Sequence, residues 1–361
     1  MKVTVLSHNL SSNAAMRALV LAEAARSFAD VTLIGPARRA GRWPALPDAP
    51  WISSVRKRRF PEFAAGFLEL VERADGDVLL AVKPQLASFG VALVAGVRGV
   101  PVVLDVDDLD VDLASLDDPF AADVTRPGST VYVSLLTRAA GAADAITASS
   151  TALAARFGAT LVPHGADTTA FDPARVDRAQ ARARYGFVGS TVLFPGTPRD
   201  HKGIEVLGRA VAELRGASLV VTCRPGELSG VAWDDRPLRR VPVVPHDEMP
   251  ALLAAADVVA VPQLDTVAAR HQMPMKVYDA MAMARPIVAT AVSDLPSLLD
   301  GCGVVVPPHD AGALAHAIGG LLDDPIRAAR LGDNARRRCI DEFSRERVAE
   351  RLQRVITGVA G

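Results

Sequence analysis

A loop reading Pro195-Gly196-Thr197-Pro198-Arg199-Asp200-His201-Lys202-Gly203 lies between a strand-like run, Thr191–Phe194, and a helix-like stretch beginning near Ile204. Glycine lets the main chain come close to a ligand. Arg199 and Lys202 add two cations where the N–H groups of a helix start already favour an anion. A diphosphate suits that environment. A second segment, Pro262–Lys276, begins where another strand ends and stays polar through Gln272 before Met273, Pro274 and Met275 lead into a helix. Lys276 and Asp279 lie three apart on one side of that helix. Asp279 is one turn in, within reach of a ribose diol. The plainer alternative is a solvated Lys–Asp pair on a surface helix.

The first half offers two further loops. Ser7–Asn13 follows the first strand and is rich in hydrogen-bonding groups, His8, Asn9 and Ser11 among them. Capping of the next helix by Ser11 or Ser12 would account for the serines equally well, and His8 reads either as a packed histidine or as an acceptor contact. Asp105-Val106-Asp107-Asp108-Leu109-Asp110 follows the strand-like Val100–Leu104. Asp107, with Asp108 beside it, could accept hydrogen bonds from a ligand or act as a general base. Eight acidic residues fall between Asp105 and Asp123, so mutual repulsion is expected to raise some of their pKa values. Asp105-x-Asp107 also spells the metal-binding pattern of single-domain transferases. The phosphate-type loops lie in the other half of the chain, so no metal is expected.

These loops need a scaffold of strands feeding helices. Val3–Leu6, Val31–Ile34, Val78–Val82, Val100–Leu104, Ala145–Ala148 and Thr160–Val162 read as buried strands, with helix-like Ala14–Ser27 and Ala87–Arg98 among them. The pattern restarts with Thr191–Phe194, Ser218–Thr222, Arg240–Val244, Val258–Val261, Pro286–Ala289 and Gly303–Val306. Helices are expected at Ile204–Leu214, Met249–Ala255, Met275–Met283 and Ala311–Leu322, and Pro325–Val359 is charged and helical. Such alternation predicts α/β architecture with two doubly wound parallel sheets. Ligands then bind beyond the carboxyl ends of the strands. The expected domains are 1–165, 166–340 and a C-terminal helix, 341–361, returning toward the first.

Composition narrows the function. The 361 residues carry 40 basic and 41 acidic side chains, a balance without the footprint of a nucleic-acid binder. Cys223, Cys302 and Cys339 have no metal-like spacing and read as buried thiols of a reducing compartment. No signal-peptide pattern and no run long enough to span a bilayer are seen, which points to a cytoplasmic protein. Arg56-Lys57-Arg58-Arg59, with Phe60, Phe63 and Phe67 following, is the one basic-aromatic patch. It reads as a solvated loop ahead of a core helix, or as a peripheral membrane contact.

In its second half the chain resembles glycosyltransferase family 4. The resemblance rests on Val162-Pro163-His164-Gly165-Ala166-Asp167 with Phe171, Phe194-Pro195-Gly196 through Lys202-Gly203, Ala256-Asp257-Val258, Pro274-Met275-Lys276-Val277-Tyr278-Asp279-Ala280-Met281-Ala282 and Arg285–Thr290, and it continues through Gly303–Pro307, Asp310 and Leu314. It implies the GT-B fold, two Rossmann-like domains facing a central cleft. It also implies retaining transfer of a sugar from a nucleoside-diphosphate sugar to a hydroxyl acceptor, with no cofactor. Lys202 matches the family lysine at the donor diphosphate. Thr197 stands in the usual arginine place, which passes the second cation to Arg199. Asp279 and Gln272 occupy the positions of two family glutamates, on the ribose and near the sugar. Gly196 and the main chain of Met273, Pro274 and Met275 complete the donor side, with Lys276. Asp107 falls where many members place a histidine that touches the transferred sugar, so it could hydrogen-bond that sugar or orient the acceptor hydroxyl, and the resemblance puts the acceptor side in the first half, with His8, Asn9, Ser11 and Asp108 as candidates. Two alternatives stay open: a nucleotide-sugar epimerase of the same fold, and a nucleotide-sugar-binding protein with altered catalysis.

Overall fold

The computed structural model describes residues 1–109, 121–224, 226, 228 and 238–361. The chain divides into two compact units. Unit 1 is Met1–His164 with Arg345–Gly361, and unit 2 is Gly165–Ser344.

Unit 1 is built on a seven-stranded sheet ordered β3-β2-β1-β4-β5-β6-β7. The strands are β1 (Lys2–Ser7), β2 (Asp30–Ala37), β3 (Ile52–Arg56), β4 (Val78–Val82), β5 (Val102–Val106), β6 (Ala145–Ala148) and β7 (Thr160–Leu161). Every pairing is parallel. Such a sheet is covered on both faces, so its central strands are unbroken apolar runs: β4 and β5 are buried throughout. Helices α1 (Ala15–Ala25), α2 (Phe63–Arg73), α3 (Val91–Gly96), α4 (Thr130–Arg138) and α5 (Thr151–Phe157) link the strands. The core gathers Phe63, Leu70, Phe89, Leu104 and Leu136 around the sheet.

Three local expectations change here. Strand β5 runs two residues beyond Leu104 and takes Asp105 inside the sheet, fully buried. The basic patch expected to be a loop begins inside an edge strand, residues 52–56, in which Ile52 and Val55 turn inward while Ser54 and Arg56 face out. Neither Ser11 nor Ser12 caps α1, whose first residues are preceded by Ala14 without a side-chain cap. The Ser11 hydroxyl instead donates to Gly41 O at 2.6 Å and accepts from Arg38 N at 2.7 Å. The expectation on Asp110 and its acidic neighbours through Asp118 lies outside the described residues.

Unit 2 carries a six-stranded parallel sheet ordered β10-β9-β8-β11-β12-β13. Its strands are β8 (Ser190–Phe194), β9 (Ala217–Thr222), β10 (Leu238–Val241), β11 (Val258–Val261), β12 (Ile287–Thr290) and β13 (Val304–Val306). Its helices are α6 (Arg178–Tyr185), α7 (Ile204–Ala212), α8 (Met249–Ala255), α9 (Val267–His271), α10 (Met275–Ala282), α11 (Leu295–Leu298), α12 (Ala311–Leu322) and α13 (Pro325–Phe343). Helix α9, capped by Thr266, interrupts the stretch expected to be one polar loop. The last helix, α14 (Arg345–Ala360), packs on α1 of unit 1.

In both sheets the strand order reverses next to the first strand, between β1 and β4 and between β8 and β11. At such a reversal the loops leave in opposite directions and open a crevice beyond the carboxyl ends of the strands. The loops singled out in the sequence leave from these ends.

Candidate functional site

In unit 2 the loop after β8 turns at Gly196, whose φ of 137° suits glycine. A Cβ there would stand 3.0 Å from Lys276 Nζ. The loop is pinned to β9, since Gly196 N donates to Thr222 Oγ1. A short turn, Asp200–Lys202, then enters α7 through Gly203, at φ 67°. A Cβ on Gly203 would fall 1.9 Å from Pro262 O, so only glycine lets this turn lie against the end of β11. Leu264 N donates to His201 O at 3.0 Å and fastens the two loops together.

That fastening brings separated residues to one place. Lys202 Nζ donates to Gln272 Oε1. Lys276, in the first turn of α10, lies 3.4 Å from the centroid of the Phe194 ring. Among the described residues Lys276 forms no ion pair. Burial, and then the charge of Lys202, hold its amine well below the usual lysine range. Met273 is buried in the core and fixes the main chain ahead of α10. Pro274 directly precedes the helix and Met275 begins it. Thr197 is half-buried beside Gly196.

Asp279 does not pair with Lys276. It lies one turn along α10, half-buried. Its carboxyl is pushed up to about 6 by burial, against the lowering effect of His246. Arg199 is exposed, and its guanidinium makes no hydrogen bond or ion pair among the described residues. Lys276 is the cation whose pKa the charge of Lys202 lowers.

Unit 1 gathers a second cluster at its own crevice. His8 follows β1, Lys83 follows β4 and Asp107-Asp108 follow β5. Lys83 Nζ lies 3.0 Å from Asp107 Oδ1 and also pairs with Asp108. The Lys83 backbone is left-handed, with φ 72°, and its N–H donates to Asp105 O at 2.8 Å. His8 is held well below the usual histidine range by burial, then by Lys83 and Lys57, so its imidazole is neutral. Asn9 serves its own loop: its Oδ1 accepts from Ser11 N at 3.1 Å and its Nδ2 donates to Ser12 Oγ at 2.9 Å.

Asp105 and Asp107 do not act as a pair. Both Asp105 oxygens face Arg17, at 2.7 and 2.9 Å, and Oδ1 also accepts from Thr147 Oγ1. Asp107 turns to Lys83. Repulsion does not raise Asp123 either: the Thr125 hydroxyl and N–H, with Arg59 and Arg126, lower its pKa. Lys83 and Arg17 went unnoticed in the sequence. A lysine directly before a proline at a strand end, in a chain with five lysines, was the signal available for Lys83.

Residues 189–324 match the family model described as Glycosyl transferases group 1. A D-inositol 3-phosphate glycosyltransferase of Catenulispora acidiphila is 30% identical over 324 residues, covering 80% of this chain and 73% of that protein. An MMP alpha-(1→4)-mannosyltransferase of Mycolicibacterium hassiacum is 32% identical over 201 residues, covering 52% of this chain and 46% of that protein. For several such relatives the match thus spans about half of their length. Among solved structures, Anabaena HepE in complex with UDP-glucose superposes with a TM-score of 0.76 at 15% identity, covering 99% of this chain and 100% of that one. The architecture is GT-B, with two Rossmann-like parallel-sheet domains. The sequence match to the Catenulispora enzyme, over most of both chains, carries more than fold: this chain belongs to the group 1 glycosyltransferases of the family 4 type.

Proposed function

We propose that this glycosyltransferase moves a sugar from a nucleoside-diphosphate sugar to a hydroxyl acceptor with retention of anomeric configuration, unit 2 holding the donor and unit 1 the acceptor. The observation that carries the donor assignment is the approach of Lys202 and Lys276 beside Gly196, where Lys276 meets no carboxylate. The charge of Lys202 disfavours a second charge on Lys276, and a diphosphate turns that cost into attraction. As the glycosidic bond to the donor breaks, charge grows on the departing diphosphate and the lysines stabilise it. Arg199 adds a solvent-side cation.

Gln272 accepts from Lys202 through Oε1 and keeps its amide N–H groups for sugar hydroxyls. Asp279 receives the ribose diol. The Gly196–Thr197 turn and the main chain at Met273, Pro274 and Met275 line the donor. In unit 1, Asp107 accepts a hydrogen bond from a substrate hydroxyl, with Lys83 balancing its charge and that of Asp108. No metal or cofactor is assigned. Among the described residues no helix is long and apolar enough to cross a membrane. The exposed Arg56 and Arg58 are assigned a peripheral contact with anionic headgroups at a membrane's inner, cytoplasmic face.

The test is Lys202→Ala. Turnover of nucleoside-diphosphate sugar should fall by about 100-fold or more with folding intact. Near-normal turnover sinks the assignment, and formation of an epimer in place of transfer would replace it.

A further inference from the structure

Unit 1 has a small pocket that the donor chemistry does not use. His8, Lys57 and Gln85 meet there against walls that include Pro36, Phe63 and Ala87. Gln85 is 7% exposed. Both its Oε1 and the Nδ1 of His8 are buried without a hydrogen-bond partner. Buried polar atoms are normally paired, because leaving one unmade sacrifices its hydration for nothing. Lys57 follows the edge strand β3, its N–H bonded to Ala37 O at 2.7 Å, and among the described residues its ammonium group pairs with no carboxylate. Burial and the neighbouring Arg38 lower its pKa to about 8, so it still carries charge at neutral pH. Among the described residues no aspartate or glutamate lines the pocket.

We propose that this pocket binds a small hydroxylated molecule through an acidic group, a phosphomonoester or a carboxylate. Lys57 meets the acidic group, while Gln85 Oε1 and the neutral His8 meet hydroxyls. Charge complementarity selects the anion. A hydroxyl suits Gln85 Oε1, which can only accept. His8 also feels Lys83 and Asp108, so a molecule held here borders the Lys83–Asp107–Asp108 cluster. The identification of this molecule as the sugar acceptor rests on the transfer reading above; the pocket itself does not.

The chain has five lysines, so each can be followed by NMR of 13Cε-labelled lysine, with Lys57→Met assigning its signal. Inorganic phosphate, glucose 6-phosphate and glucuronate are titrated separately, against chloride at equal ionic strength. The expected result is a saturable shift at Lys57 with phosphate and its ester, or with glucuronate, whichever acid the pocket takes. Gln85→Leu should weaken the sugar acid that binds by about fivefold or more, and leave inorganic phosphate within about twofold wherever that binds. A Lys57 signal that follows ionic strength alone, or responses confined to Lys202 and Lys276, would overturn the proposal. UDP is added in a separate arm to move Lys202 and Lys276. Silence there, with Lys57 still responding, would remove the donor reading and leave the pocket standing.

Discussion

The ammonium group of Lys276 sits 3.4 Å from the centre of the Phe194 ring. One side of the charge meets the negative face of the ring, an interaction of roughly 0.5–2 kcal/mol. Another side meets Gly196, where no side chain intervenes. Burial and Lys202 disfavour the charged form, so a diphosphate arriving at the Gly196 loop should restore it. Over the pH range in which the Lys276 amine titrates, binding of UDP is expected to take up a proton, seen by calorimetry in buffers of different ionisation enthalpy. Lys276→Met should abolish the uptake and weaken UDP by about 10- to 100-fold, or about 1.4–2.8 kcal/mol. Buffer-independent heats in the wild-type protein would refute this.

Asp279 gives the same helix a second pH dependence, of opposite consequence. Its carboxyl stands at about 6 in the folded protein because burial outweighs His246. A folded-state pKa raised above the unfolded value favours folding below roughly pH 4, and that contribution is lost as the pH rises through 6. Asp279→Asn should therefore be more stable than wild type at pH 7.5, by about 1–2 kcal/mol after allowance for solvent screening. The difference should vanish near pH 4 in chemical denaturation. The ionised form is the better acceptor for a ribose diol, so wild-type affinity for UDP should fall below pH 6 and that of Asp279→Asn should stay flat over the same range.

The buried pair in unit 1 belongs to stability. Arg17 and Asp105 are 1% and 0% exposed, and Arg17 also donates to Val162 O at 2.7 Å and Pro163 O at 3.1 Å. One guanidinium thereby joins α1, β5 and the chain leaving β7. Asp105→Asn strands the cation and should cost about 3–5 kcal/mol. Replacing both partners, Arg17→Met with Asp105→Leu, should cost less than the single change, because no buried charge is left alone. Thermal unfolding of the single and double variants decides the order.

The sheets were legible in the sequence because a parallel strand buried on both faces writes itself as a short apolar run, as at Val78–Val82 and Val258–Val261. Strand β3 was hidden, because an edge strand pairs on one side only and its outward positions, Ser54 and Arg56, read as loop. The donor loops were legible from Gly196, Lys202 and Lys276 at strand ends. Their partners were not: Phe194 under Lys276, and Lys83 between Asp107 and Asp108, become neighbours only when non-consecutive strands pair. Asp105 shows the same limit. Its sequence neighbours suggested a solvated acidic loop, while its partner, Arg17, stands 88 residues away.

Lys83 supplies the sharpest separation of the two units' roles. Its ammonium group faces Asp107 at 3.0 Å and also Asp108, so removing it takes away the cation that these two carboxylates share. Asp107 then swings away from its neighbour or draws in water, and a substrate hydroxyl loses its acceptor. The residues assigned to the donor all lie in unit 2, so Lys83→Met should lower kcat by about 10- to 100-fold while leaving the donor KM within about twofold. Asp107→Asn should do the same. The double variant should cost no more than the worse single one, because both changes break one pair. A parallel rise in donor KM would show that the Lys83 cluster supports the donor site and would overturn this division of labour.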